Sequence, residues 1–157
     1  MDGERHFGVV GPEVLGGRSG LALLQAMVAG ELPAPPISRS LGFFLVEVAP
    51  GRAVFEARPS ADLLNPLGSV HGGVALTLID SACGCAVHTE LDAGIGYTSV
   101  ETKANFVRPV PAQGLVRCEG RVLSRGRQIA TAEAYLRDEA GKLLAHGTST
   151  IIILAPR

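Results

Sequence analysis

Hydrophobic positions change their spacing twice along this chain. Between residues 41 and 58 they follow a two-residue rhythm. Ala53, Phe55 and Ala57 alternate with Arg52, Glu56 and Arg58. That period predicts strands over 41–49 and 52–58, joined by a turn at Pro50-Gly51. From Gly72 to about His88 the spacing becomes helical, with Val74, Ala75, Leu78, Ile79, Ala82, Cys85 and Ala86 recurring every three or four residues. Most of the other positions there are small or apolar, so this helix is expected to be buried on most sides. Alternation then returns in four segments, 96–106, 114–123, 128–137 and 142–154. In the first, Val100, Thr102, Ala104 and Phe106 alternate with Ser99, Glu101, Lys103 and Asn105. In the third, Ala130, Ala132, Ala134 and Leu136 make one face, and Asp138-Glu139-Ala140-Gly141 supplies a turn.

Upstream, residues 1–18 are rich in glycine and weakly patterned, which predicts a loose arm. Ser19 is placed to cap a short helix over 20–29, ended by Gly30. Pro33-Ala34-Pro35-Pro36 predicts an extended linker. Residues 60–71 read as a loop. Two strands, one long buried helix and four more strands predict an α+β class. Its antiparallel sheet would wrap around one long central helix, with an extra short helix at the N-terminus. The expected division is an arm and short helix over 1–37 and a single domain over 38–157. The far sheet face or the sheet edge is left for pairing with a second copy.

Length and composition fit one globular domain: 157 residues, 46% apolar and 18% charged. A net charge of -1, 4% aromatics and no Trp give no general attraction for polyanions and no base-stacking platform, so no nucleic-acid partner is expected. Cys83, Cys85 and Cys118 make an odd, low count, which fits free thiols in a reducing compartment. The first residues, Met1 to His6, carry charge with no apolar stretch behind them. No later run is long enough to span a bilayer. The expectation is a cytoplasmic protein without a membrane partner.

Candidate chemistry concentrates in Asn65-Pro66-Leu67-Gly68-Ser69-Val70-His71-Gly72-Gly73 and the helix that follows. Asp80 falls inside that apolar helix, where an acid is costly unless it is paired or used. The functional reading is a general base or nucleophile; the structural alternative is an Asp facing solvent or tying down a loop. Gly72 and Gly73 sit where the helix begins, so free N–H groups and the positive end of the dipole point outward, a favourable place for an oxyanion. A plain glycine turn is the alternative. Gly72 and Asp80 lie eight residues apart, about 12 Å along one helix, so one copy does not easily aim both at one carbonyl. Two antiparallel copies related by a two-fold axis could set Asp80 of one beside Gly72 of the other.

The spacing of Asn65, His71-Gly72-Gly73 and Asp80 resembles that of the phenylacetate-pathway (PaaI-type) hotdog-fold acyl-CoA thioesterases. The stretch from Thr98-Ser99-Val100-Glu101 to Phe106-Val107-Arg108-Pro109 resembles the strand these enzymes carry after the helix. Gly120-Arg121-Val122 through Gly126-Arg127, and Gly141-Lys142 through Gly147-Thr148, also fit. The resemblance runs from about residue 38 to the C-terminus. It implies a hotdog fold that hydrolyses an acyl-CoA, with a medium-chain or aryl acyl group, to free CoA and a carboxylic acid. In that picture Asp80 is base or nucleophile, and the Gly72 amide polarises the thioester carbonyl. Asn65 holds water or substrate, and His71 orients the loop. Ser99, with Thr98 as its neighbouring alternative, positions the water near Asp80. Gly73 lines the substrate; Arg108, Arg125 and Arg127, with Gly126 shaping their loop, are candidates for the CoA phosphates. No metal or cofactor is implied, because the CoA thioester is the substrate. Self-association as a homodimer, and as a dimer of dimers (tetramer), is implied.

Rival readings are weaker. A serine hydrolase lacks its G-x-S-x-G elbow here. Cys83 and Cys85 point to different sides of a helix, and Cys85 with His88 supplies too few ligands for zinc. A hotdog dehydratase combines a loop His with a helix acid, but the double glycine after His71 favours hydrolysis. A non-catalytic acyl-CoA sensor needs no buried acid beside the thioester.

Overall fold

The computed structural model describes residues 6–154. Strands β1 (Phe43–Ala49), β2 (Arg52–Ala57), β3 (Tyr97–Phe106), β4 (Val116–Arg125), β5 (Ile129–Asp138) and β6 (Leu143–Ile153) form one antiparallel sheet in the order β1-β2-β4-β5-β6-β3. Helices α1 (Pro12–Gly17), α2 (Gly20–Val28) and α3 (Pro36–Leu41) precede β1, and the long α4 (Gly72–His88) separates β2 from β3. The sheet wraps α4, which packs against all six strands. This is the α+β, helix-in-sheet architecture of the hotdog fold.

Small residues let the helix sink into the sheet. Ala75, Leu78, Ile79, Ala82, Cys83, Ala86 and Val87 are buried on the helix; on the sheet their neighbours include Cys118, Ala130, Ala132, Ala134, Leu136 and Ile151. The alternating face of β5 is buried as its pattern predicts. At Gly120 the backbones come so close that an added Cβ would lie 2.3 Å from the Ala82 carbonyl oxygen. Only glycine fits there.

The N-terminal region departs from expectation. Residues 12–17 are helical rather than loose, with Pro12 at the first helical position, where its missing N–H costs nothing. Phe7 pairs with Ala34, packs its ring at a tilt against that of Phe44 at 6.1 Å, and lies under the Arg39 guanidinium at 4.5 Å. The first five residues of the expected arm lie outside the described residues. Pro36, expected in the extended linker, and Leu41, expected in a strand, are the first and last residues of α3, ended by Gly42 in the left-handed conformation at φ 65°. The boundary expected at 37/38 therefore falls inside a helix. Ser19 caps α2, accepting from the Ala22 N–H at 3.3 Å, and Leu23, Leu24 and Ala26 are buried. Gly20 sits flush against the backbone of His88, where an added Cβ would collide with the carbonyl.

On the outer face, β1, β2 and β4 share an ion-pair lattice. Arg52 bonds Glu47 at 3.0 Å and Glu119 at 2.8 Å, while Arg117 bonds Glu47 and, at 2.8 Å, Glu56. The Glu47 carboxyl is held below its ordinary value, first by Arg117 and then by Arg52; that of Glu119 is held down first by Arg52. The folded state therefore binds these protons less readily than the unfolded chain. The stabilisation is complete above the ordinary carboxylate range and is lost as pH falls through the lowered folded values.

Two outcomes are expected. Replacing Gly120 by Ala lowers stability by about 1–3 kcal/mol or more, measured by chemical denaturation, because either α4 or β4 must move. The thermal midpoint of the wild type falls as pH drops below roughly 4.5, and Arg52→Met flattens that fall; an unchanged acid limb would mean the lattice contributes nothing.

Candidate active site

The loop before α4 is built by one side chain. Asn65 Oδ1 accepts from the N–H groups of Leu67 at 2.9 Å and Ser69 at 3.1 Å. The Asn65 carbonyl also accepts from Gly68, whose φ of 81° closes the turn. With Oδ1 occupied, the Nδ2 group of Asn65 is left as a donor. A Leu64–Val70 bridge clamps the loop base.

His71 then caps α4. Its Nδ1 accepts from the Gly73 N–H at 2.9 Å, which places the ring proton on Nε2. The His71 carbonyl takes the Val74 N–H at 2.9 Å. Of the first amides of the helix, this leaves that of Gly72 without a partner among the described residues. The cap therefore sorts the two glycines: the Gly73 amide holds the turn, and the Gly72 amide points outward at the positive end of a 17-residue helix.

That amide opens on a groove of about 330 Å³, lined by Gly72, Ala75, Phe106, Val107 and Arg108 among others. The Phe106 ring closes over Gly72, 3.2 Å from where a Cβ would stand. Asp80 is not part of this groove.

Asp80 is half-buried two turns further along α4. Thr102 Oγ1 donates to its Oδ1 at 2.7 Å. Ser99, expected to be its hydroxyl neighbour, makes no side-chain hydrogen bond to Asp80, and Thr98 Oγ1 reaches only the Ser99 carbonyl at 3.4 Å. A bulge in β3 brings Thr102 to the inward side instead. Ser99 pairs with Ile151 and Glu101 with Thr150, so the intervening Val100 is unpaired and the alternation changes phase. Ser99 is half-buried before the bulge; after it Thr102 and Ala104 take the inward side, while Val100 and Glu101 are both exposed. The unbroken alternation expected for this strand thus fails at one residue. Thr102 was detectable as the lone hydroxyl in the series Val100, Thr102, Ala104, Phe106.

The candidate phosphate ligands divide between two ends of the sheet. Arg108 follows β3 at the Gly72 end and donates to the Leu143 carbonyl at 2.8 Å. Arg125, Gly126 and Arg127 form the exposed β4–β5 turn, beside Gln128, whose carbonyl bonds Ile153. Ile153 pairs with Tyr97, the far end of β3 from Phe106. These two cationic positions are separated by the length of β3, about 30 Å. The cysteines are free, and burial pushes the thiols of Cys83 and Cys85 up to about 12. His88 lies against the Tyr97 ring at 5.0 Å, and its pKa is lowered by desolvation.

Comparisons with known proteins place the chain among similar sequences and folds. Residues 67–145 match the model of the thioesterase superfamily. Human acyl-coenzyme A thioesterase 13 is 28% identical over 81% of this chain and 91% of its own. The 1,4-dihydroxy-2-naphthoyl-CoA hydrolase of Listeria monocytogenes is 26% identical over 77% of this chain and 98% of its own. Among solved structures, a variant of the phenylacetic acid degradation protein PaaI of Thermus thermophilus is 31% identical, with a TM-score of 0.69 over 76% of this chain and 99% of that one.

The cap makes a direct prediction. His71→Ala frees the Gly73 amide and costs about 1 kcal/mol of stability. Amide hydrogen exchange at Gly73 and Val74 should accelerate in the variant. Unchanged exchange at Gly73 would mean that His71 does not hold the helix start.

Proposed function

The chain belongs to the thioesterase superfamily, and from that membership we propose that it hydrolyses acyl-CoA thioesters to free CoA and a carboxylic acid, with a medium-chain or aryl acyl group. The observation that carries the assignment is the unpaired Gly72 amide, singled out by the His71 cap and opening on an apolar groove. A thioester carbonyl oxygen seated there gains a donor and the helix dipole as it takes on negative charge. Asp80, fixed through one oxygen and half-exposed, is the group suited to take a proton from water or to attack directly. Asn65, with its Nδ2 group free, is a donor for the water or substrate at the loop.

We assign the complete site to two copies of the chain. Gly72 and Asp80 are too far apart along α4 to meet at one carbonyl, and Asp80 lies outside the groove. β3 is an edge strand that exposes Val100 and Phe106, at 54% and 60%. Such an edge invites a partner. Antiparallel pairing through it would bring the Tyr97 end of one copy toward the Phe106 end of the other. The same operation would carry Arg125 and Arg127 of one copy toward Arg108 of the other, where CoA phosphates would need cations. Among the described residues no helix is long and apolar enough to cross a membrane.

The test is release of free CoA from a panel including hexanoyl-CoA and benzoyl-CoA. Asp80→Asn should lower kcat by roughly 10²–10⁴-fold while the protein keeps its thermal midpoint. Gly72→Pro removes one N–H at a position where proline suits a helix, and His71 before it already has the extended ψ of 135° that proline requires. It should cost roughly 10²–10³-fold in kcat, against a smaller loss for Gly72→Ala, which keeps the amide. Wild type that binds these esters without hydrolysing them would leave a binding module instead.

A further inference from the structure

Behind Asp80 lies a chain of hydroxyls. Thr102 Oγ1 sits 2.7 Å from Asp80 Oδ1 and 3.0 Å from Ser149 Oγ, and Ser149 Oγ donates to the Glu101 carbonyl at 3.0 Å. Ser149 is 1% exposed and faces the core on β6 between Gly147 and Ile151. Its register partners are Thr102 on β3 and Ala132 on β5. A serine here interrupts a stripe of alanine, glycine and isoleucine. A buried serine can be satisfied by a carbonyl alone, so the position of Thr102 between Ser149 and Asp80 is what requires explanation.

The row has three contacts, and both of its ends, a carboxylate and a backbone carbonyl, only accept. Two hydroxyl protons must serve it. A lone pair on ionised Asp80 claims the Thr102 proton, because a hydrogen bond to a charged acceptor is the stronger one. The single Ser149 proton, with its oxygen 3.0 Å from both acceptors, is shared between the Glu101 carbonyl and Thr102 Oγ1, and its share on Thr102 steadies that hydroxyl. With Thr102 donating to the Asp80 carboxylate, Oδ1 is occupied. No other hydrogen bond to Asp80 is formed among the described residues, so Oδ2 stays without a partner.

Resting on the assignment of Asp80 as the base, we propose that Thr102 and Ser149 are positioning residues, a hydroxyl relay that holds the Asp80 carboxylate by Oδ1 and commits Oδ2 to the proton of the attacking water. In that step water gives a proton to Oδ2, and its oxygen forms a bond to the thioester carbon. On collapse of the tetrahedral adduct the carbon–sulfur bond breaks, and the proton on Oδ2 passes to the departing CoA sulfur. Thr102 keeps donating to Oδ1 throughout, so no hydroxyl has to turn over during the reaction. The β3 bulge is what brings Thr102 into the relay, since it turns that residue inward.

The experiment is a double-mutant cycle on the full-length protein, with Thr102→Val, Ser149→Ala, both together, and Asp80→Asn as reference. Substrates are hexanoyl-CoA and benzoyl-CoA, with kcat, KM and thermal midpoint read for each. Thr102→Val should lower kcat by roughly tenfold or more with KM within about twofold, the loss of a hydrogen bond to a charged group. Thr102→Ser, which returns the hydroxyl, should restore most of it. Ser149→Ala should lower kcat severalfold alone and add almost nothing in the Thr102→Val background, because its effect passes through Thr102. If Thr102→Val does not fold, Thr102→Ala and Thr102→Ser carry the same comparison. Wild-type kcat in the Thr102 variants, with Asp80→Asn inactive, would overturn the relay and leave the base standing. Equal losses from Ser149→Ala in both backgrounds, following the thermal midpoint, would make Ser149 structural and overturn it as well. Wild-type kcat in Asp80→Asn would remove the base assignment and the relay together.

Discussion

The close approach of α4 to the sheet is the constraint on which the site depends. Where Gly120 faces the Ala82 carbonyl, the two backbones are nearer than any side chain would permit. The small residues around that contact, Ala75 and Ala86 on the helix and Ala130, Ala132 and Ala134 on β5, extend it along the helix. A helix held at this depth has its N-terminus under Phe106 and its middle against β3 and β6. That placement delivers Gly72 to the groove and Asp80 to Thr102. Larger residues along the seam would raise the helix and pull these groups from their partners.

Hydrogen bonding in the region is selective, and the selection differentiates residues that look alike. Gly72 and Gly73 are adjacent and chemically identical, yet the His71 ring takes one amide and leaves the other. The two oxygens of Asp80 are equivalent in the free side chain, and Thr102 makes them different. Asn65 spends Oδ1 on its own turn and keeps Nδ2. In each case hydrogen bonding to ordinary structural partners determines which atom remains free, which is how a site can be preorganised without strain. Among the described residues no non-glycine residue has positive φ.

Much of this was legible in the sequence, for reasons that differ by element. The long helix and the inward face of β5 declare themselves because their burial is regular and their periods unbroken. Ser19 as a helix cap is legible from local chemistry alone. The α3 helix is not, because Pro36 reads as a breaker although it is well suited to a first helical position. The docking of residues 6–34 depends on tertiary contacts, such as Phe7 with Arg39 and Gly20 with His88, that no local pattern encodes. The bulge at Val100 is the most consequential miss. An alternation written on residue number alone sets Ser99 and Thr102 on opposite faces, and one unpaired residue reverses that for half the strand. Ser149 is hidden for a related reason: in Thr148-Ser149-Thr150 three hydroxyls stand in a row, and only the register of β6 against β3 shows which meets Thr102.

A site in which the Gly72 amide of one copy works with Asp80 of another can be read by mixing two inactive variants. Asp80→Asn and Gly72→Pro proteins, each inactive alone, would be unfolded together, refolded at equal concentration and assayed for CoA release. If the site lies between subunits of a dimer, half of the dimers are mixed and each holds one intact site, so activity returns to about a quarter of the wild-type value. No recovery, in a sample where mass spectrometry confirms that mixed dimers have formed, would contradict the account and place both groups of each site on a single chain.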